Sequence, residues 1–130
     1  MLVLAACGGT GPGVSKGEDL ANGKKLFIEG KDGQASCGSC HTLADAGTQG
    51  KVGPNLDDAF RGSREQGFEE STFEQVVREQ MAFPGIGLGM PPDLVTGKDA
   101  DDVAAYIARC AGNPDAAEEC PPAPSGGGAG

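Results

Sequence analysis

Residues 37 to 41 read CGSCH and place two thiols and an imidazole within a few positions of one another. Cys37 and Cys40 are three positions apart, and the single histidine of the sequence, His41, follows directly. Thiols and imidazole bind thiophilic metal ions, and a thiol pair can also exchange disulfides. The motif could therefore hold zinc, act as a redox dithiol, or carry a covalently attached macrocycle.

The C-x-x-C-H pattern is the attachment signature of c-type haem. On a short helix, cysteines at positions i and i+3 can reach the two haem vinyl groups and form thioethers, and a histidine at i+4 projects over the iron. Gly38 and Ser39 are small, so the backbone can lie close to the porphyrin. This interpretation predicts one covalent haem c at Cys37 and Cys40, with His41 as the proximal iron ligand.

The two alternatives fit the sequence less well. A structural zinc site needs four ligands, commonly from two separated pairs, but Cys40 and His41 are adjacent and Cys110 and Cys120 come much later. A thioredoxin-like dithiol follows a buried strand, whereas the polar stretch GKDGQAS precedes Cys37. Haem attachment is therefore the interpretation that the sequence favours.

An electron carrier needs a second iron ligand, and the candidates are Met81 and Met90. Met81 lies on the apolar stripe of a predicted helix, where core packing explains it. Met90 lies in GIGLGMPPD, where glycines allow the chain to approach a flat cofactor and Pro91 fixes an extended segment. We therefore expect His41 and Met90 to bind the iron from opposite sides.

The stretch KVGPNL, residues 51–56, follows the histidine by ten positions. A ligating histidine usually donates its other ring N–H to a carbonyl, which fixes the orientation of the ring. We expect the carbonyl of Pro54 to accept this hydrogen bond; the alternative is an ordinary turn.

Five cysteines in a chain of 130 residues indicate an oxidising compartment outside the cytoplasm. Cys110 and Cys120 flank a short acidic loop, and we expect a disulfide between them, with two free thiols as the alternative. Cys7 ends LAAC, which resembles a bacterial lipobox and predicts lipidation of that cysteine. A secretory signal has a basic region and a longer apolar region, but only six residues precede Cys7 and none of them is basic. Either the true signal peptide begins upstream of Met1, or the lipobox match is accidental.

The elements that must position these residues are helical. Apolar spacing predicts helices over residues 19–29, 36–43, 70–82 and 98–110, with no convincing strand. Thr96 with Asp99 three residues on predicts a capping box at the last helix. The segments 44–68 and 83–97 are rich in Gly and Pro and are predicted loops, long enough to wrap around a large cofactor.

The organisation along the chain is a single domain with two tails. Residues 1–17 are the predicted signal-peptide remnant and Gly-rich tether, 18–112 the domain, and 113–130 a disulfide-tied acidic loop with a disordered Pro/Gly-rich tail. The net charge of −9 and the pI of about 4.4 argue against a nucleic-acid partner, because the sequence has no basic stripe to neutralise phosphates. No stretch is long enough for a transmembrane helix.

Taken together, C37-x-x-C-H41, the Gly53-Pro54 turn and the MPP stretch at Met90 resemble the class I cytochrome c family, over roughly residues 18–111. The resemblance implies an all-α cytochrome c fold, with long Gly/Pro-rich loops around one haem. In that family the first and last helices cross closely, which matches Gly23 and Phe27 facing Tyr106.

The resemblance also implies a function. The expected protein is a monomeric monohaem electron carrier, not an enzyme, which shuttles electrons between respiratory partners such as a respiratory complex and a terminal oxidase. It would work in the periplasm or at the outer face of the cytoplasmic membrane, touching the membrane only through a lipid anchor. The alternatives are an electron-input subunit of a larger oxidoreductase, and a haem sensor or enzyme with an open sixth site.

Overall fold

A computed structural model describes residues 17–85 and 89–124 of the chain. The predicted lipobox with Cys7 and the last six residues of the predicted tail lie outside these ranges. No helix within the described residues has the length and apolar character needed to cross a bilayer.

Helices dominate the described chain. They are α1 (Leu20–Glu29), α2 (Leu56–Glu65), α3 (Glu70–Ala82), α4 (Gly97–Cys110) and the single turn α5 (Ala116–Glu119). Two 3₁₀ turns, Cys37–Ser39 and Ala44–Ala46, flank the first of two short strands, β1 (Thr42–Leu43) and β2 (Thr48–Gln49). The strands pair antiparallel, with Thr42 opposite Gln49.

Three of the four predicted helices are present with bounds within one residue of the prediction, as α1, α3 and α4. The helix predicted over residues 36–43 is reduced to one 3₁₀ turn at Cys37–Ser39, and β1 begins at Thr42. The prediction is therefore wrong for the residues that follow the cysteines. The predicted loop 44–68 contains β2 and the helix α2, which the sequence analysis missed. The acidic segment after α4 likewise contains the short helix α5.

Helix α2 was missed because capping and charge, rather than an apolar stripe, specify it. The Asn55 side chain accepts a hydrogen bond from the Asp58 N–H at 3.2 Å, and acidic residues fill the first turn. At its other end the Arg64 Nη2 donates to the carbonyl oxygens of Ala108, at 2.5 Å, and Ala111, at 2.9 Å. Arg64 thereby caps the C-terminus of α4 and joins the two helices.

The core forms where α4 packs between α1 and α3. Helices α1 and α4 cross at Gly23, where an added Cβ would lie 2.8 Å from the Cβ of Tyr106, a distance that real Cβ contacts do not show. The rings of Phe27 and Tyr106 meet edge to face, with centroids 6.0 Å apart. The remaining buried members of this cluster are Leu26, Leu43, Val77, Met81, Val95, Ala100, Val103, Ala104, Ile107, Cys110 and Ala111.

The predicted capping box at α4 is wrong. Thr96 is the N-cap residue, but its side chain makes no capping hydrogen bond. Asp99 instead accepts a hydrogen bond from Asn22 at 3.1 Å, and Asp102 accepts one from the Asp19 N–H at 2.8 Å. Acidic residues in the first turns of α4 therefore bind α1 and its N-cap residue instead of forming a local cap.

Candidate haem-binding site

The two cysteines of the motif lie on one tight turn. The N–H groups of Cys40 and His41 both donate to the carbonyl of Cys37, at 3.2 and 3.0 Å. Both thiols are half-buried and neither forms a disulfide in the structure. The turn therefore presents two free thiols and one imidazole from the same short segment.

Gly38 has a packing role within the protein that the sequence analysis did not foresee. It is buried, and an added Cβ would lie 3.1 Å from the Cβ of Thr48 and 3.3 Å from the carbonyl oxygen of Phe27. The absence of a side chain lets the cysteine turn pack against β2 and α1.

The imidazole of His41 is held from two sides. Its Nδ1 lies 2.8 Å from the carbonyl oxygen of Pro54 and donates its hydrogen there, which leaves Nε2 with a free lone pair. A Cβ added at Gly53 would lie 2.8 Å from Nδ1 and 2.9 Å from Nε2, so the backbone of Gly53 packs directly on the ring. The N–H of Gly53 also donates to the carbonyl of Cys40 at 2.7 Å. The ring is thus oriented to offer Nε2 to a metal ion.

Thr48 supports the same residue through its backbone, and the sequence analysis missed it. Its hydroxyl donates to the carbonyl of His41 at 2.8 Å and accepts from the N–H of Leu43 at 3.1 Å. No local pattern marks this threonine, because it lies on β2 whereas its partner atoms belong to the backbone of His41 and Leu43. Its role becomes visible only once β1 and β2 are paired.

One property of Cys37 bears on dithiol exchange. Burial raises the pKa of the Cys37 thiol to about 11. Thiols that exchange disulfides readily have lowered pKa values. The surroundings of Cys37 therefore do not favour a reactive dithiol.

The two methionines occupy different surroundings. Met81 is 6% exposed and belongs to the core cluster, as packing alone would require. Met90 is half-buried and contacts the edge of the same cluster from an irregular segment. Gly89, just before it, has φ +78°, a left-handed conformation that glycine adopts without strain. Pro91, which follows Met90, is exposed.

Large apolar side chains are left uncovered near these candidates in sequence. Val52 is 78% exposed and precedes the Gly53-Pro54 turn, and Phe83 is 83% exposed and begins the segment that leads to Met90. Two free thiols and an oriented imidazole on one short segment together fit a covalently attached haem.

The other two cysteines of the described chain lie at the opposite end of α4 from Thr96. Cys110 and Cys120 are joined by a disulfide, with their Cα atoms 6.0 Å apart. The bond ties the segment that contains α5 back to the domain. The structure describes no residue around Cys7.

Comparison with known proteins identifies the family of the chain. A family model described as Cytochrome c matches residues 20–110. Among solved structures, the c-type cytochrome SorU from Sinorhizobium meliloti is 34% identical; the match covers 72% of this chain and 91% of that chain, with a TM-score of 0.54. No curated protein matches. The sequence prediction of the family and of the fold is confirmed: the chain belongs to the cytochrome c family, as a class I c-type cytochrome with the cytochrome c fold.

Proposed function

We propose that this protein carries single electrons through one haem c whose iron is bound by His41 and Met90. Haem binding and electron transfer are properties of the family. The pairing of His41 with Met90, the count of one haem and the absence of catalysis are our proposal. The observation that supports His41 as an iron ligand is the hydrogen bond from its Nδ1 to Pro54, because it leaves Nε2 available to a metal ion on the turn that bears both thiols.

When bound, the haem supplies a one-electron couple between ferric and ferrous iron. The residues of the chain would hold the cofactor and set its reduction potential. Cys37 and Cys40 would hold it covalently, while Gly53 and Pro54 restrict rotation of the His41 ring. A thioether from Met90 favours the softer ferrous ion and so raises the reduction potential relative to a second imidazole. Both proposed ligands are neutral and neither has to leave, so little rearrangement accompanies a change of charge.

We further propose that the redox partners are respiratory proteins outside the cytoplasm, such as a respiratory complex and a terminal oxidase. Proteins of this family typically work there, and the Cys110–Cys120 disulfide suits an oxidising compartment. The net charge of −9 favours a partner with a basic docking face. Lipidation of Cys7 would keep the domain at the membrane. We expect the carrier itself to be a monomer.

The test is to express the chain in cells that contain the haem-attachment machinery. The pyridine haemochrome spectrum should be that of a c-type haem, with about one iron per polypeptide, and the redox titration should be reversible with one electron. A Cys37→Ala, Cys40→Ala variant should lose covalent haem. A high-spin ferric form that binds carbon monoxide readily once reduced would instead favour a sensor or enzyme with an open sixth site.

A further inference from the structure

We infer that Cys110, Cys120 and Asp45 form a binding site for a thiophilic divalent metal ion of the zinc class when the disulfide is reduced. The two sulfur atoms and a carboxylate oxygen of Asp45 all lie within 4.8 Å of one another. In a tetrahedral site with bonds of about 2.0–2.3 Å, ligand atoms are roughly 3.3–3.8 Å apart. Asp45 therefore already lies within reach of both sulfur atoms, and reduction of the bond between Cys110 and Cys120 would let the two sulfur atoms move apart to this spacing.

Asp45 is oriented for this role by residues of two helices. The Tyr106 hydroxyl donates to its Oδ2 at 2.6 Å, and the Lys24 Nζ lies 3.1 Å from the same oxygen. The other oxygen, Oδ1, makes no hydrogen bond within the described part of the chain. A carboxylate held through one oxygen, with the second one unused, is the arrangement of a metal ligand supported by outer hydrogen bonds.

The charges of the three proposed ligands and of Lys24 sum to zero around a divalent ion, and Asp57 and Arg64, which line the adjoining cavity, add one charge of each sign. Two thiolates and one carboxylate carry three negative charges, which a divalent cation reduces to one. Lys24 supplies the remaining positive charge, and its side chain is only 4% exposed. A buried site whose charges are paired avoids the cost of an uncompensated ion.

Contacts other than the S–S bond keep the two cysteines close. The Asn113 side chain donates to the carbonyl of Arg109 at 2.8 Å, and the N–H of Gly112 donates to Asp57 at 2.9 Å. Beyond Cys120, the carbonyl of Pro121 accepts a hydrogen bond from Lys24 at 2.7 Å. Reduction of the disulfide therefore leaves a pair of thiols in place rather than a free tail.

A cavity adjoins two of the three proposed ligands, Asp45 and Cys110. It has a volume of about 390 Å³, and Asp45 and Cys110 are among the residues that line it, together with Asp57, Arg64 and Ala116. A water molecule needs far less space than this. The fourth position of a tetrahedral ion can therefore be filled by solvent.

The chemistry requires a dithiol reductant. The reductant gives two electrons and two protons, so the S–S bond breaks, two S–H groups form and the reductant becomes a disulfide. Metal binding then releases the two thiol protons to solvent. In the return step a disulfide oxidant accepts two electrons from the thiolates and two protons from solvent and becomes a dithiol, the S–S bond of the protein is restored and the ion is released. Occupancy of the site therefore depends on the redox state of the compartment.

The experiment uses the haem-loaded protein, in which thioethers block Cys37 and Cys40. Half of a sample is reduced with a phosphine and both halves are dialysed against zinc chloride, after which zinc and iron are measured by mass spectrometry. We expect about one zinc per iron in the reduced sample and almost none in the oxidised one. Zinc-edge X-ray absorption should show two sulfur ligands at about 2.3 Å.

Variants locate the site. Asp45→Asn should weaken zinc binding by about tenfold or more, whereas Asp58→Asn, at an exposed carboxylate of α2, should leave it unchanged. A Cys110→Ser, Cys120→Ser variant should bind no zinc while its haem spectrum shows that it is folded. The inference is overturned if reduced wild-type protein binds no more zinc than this double variant, if Asp45→Asn binds as tightly as wild type, or if the zinc has no sulfur ligands.

Discussion

The Nδ1 atom of His41 lies 2.8 Å from the carbonyl oxygen of Pro54, a residue thirteen positions further along the chain. This one hydrogen bond connects the motif that binds haem with the first residues of the segment that leads into α2. It sets both the tautomer and the direction of the imidazole. The orientation of the proposed iron ligand is therefore a tertiary property, although the motif that contains it is local.

Replacement of Gly53 by alanine should disturb the iron ligand. The new Cβ would lie 2.8 Å from Nδ1 of His41, so either the ring or the Pro54 turn must move. We expect a loss of about 1–3 kcal/mol in the free energy of unfolding, as for overpacking in general, together with a change in the ferric spin state. Denaturant titration and the optical spectrum measure the two effects. Lys51→Ala, at an exposed position of the same loop, should change neither; equal effects in both variants would refute the packing argument.

Replacement of Gly23 by alanine should push α1 and α4 apart. The added Cβ would meet the backbone carbonyl of Asp102 as well as the Tyr106 side chain at 2.8 Å, and backbone at a helix crossing cannot yield cheaply. We expect a loss of about 1–3 kcal/mol or more. Gly62→Ala is the matched control, because that glycine is also helical and an added Cβ meets nothing within 4 Å. The control should gain up to about 1 kcal/mol, and a gain in both variants would contradict the close crossing.

Glu74 should make stability fall as pH rises. Burial raises the pKa of Glu74 from its usual 4.5 to about 8, and the hydrogen bond and charge of Glu18, with the charges of Asp101 and Glu70, add to this. Between these two values the unfolded chain has lost the proton while the folded chain keeps it, so folding becomes less favourable as pH increases through this window. Melting temperatures measured across the window should therefore decline less in Glu74→Gln than in wild type.

The control for this prediction is Glu79→Gln, at an exposed residue of the same helix. Its melting temperature should follow the wild-type dependence on pH. If Glu74→Gln also runs parallel to wild type, then Glu74 does not keep its proton in the folded protein.

Tyr106, the one tyrosine of the sequence, should not ionise while the protein is folded. Burial, followed by the hydrogen bond to Asp45 and the negative charges of Asp45 and Asp57, raises the pKa of Tyr106 well above its usual range. Above about pH 10 the unfolded chain releases this proton and the folded chain does not, so stability falls there. In an alkaline titration the tyrosinate absorbance should appear only together with loss of helical circular dichroism. Ionisation near pH 10 with the helices intact would show that the phenol reaches solvent.

Much of this structure could be predicted from the sequence, and the reasons differ by element. Helices α1, α3 and α4 carry apolar stripes at helical spacing, so a local pattern was sufficient. The cysteine turn and His41 form a motif of five residues. The expectation about Pro54 came from what a ligating histidine needs rather than from any signal in the turn itself.

Other features depend on contacts that no local pattern contains. Helix α2 has few buried residues, and Arg64 finds its partners at the end of α4. The Lys24–Asp45–Tyr106 group joins α1, the second 3₁₀ turn and α4, which are far apart in sequence. The capping box failed for the same reason, since tertiary donors occupied Asp99 and Asp102.

Iron ligation by Met90 is tested most directly by the ferric spectrum of Met90→Ala, compared with that of Met81→Leu. We predict that Met90→Ala loses the sulfur-to-iron charge-transfer band and has a lower midpoint potential, whereas Met81→Leu, a volume-conserving change in the core, keeps the band. A Met90→Ala protein that stays low-spin with the band intact would contradict the proposed pair of ligands.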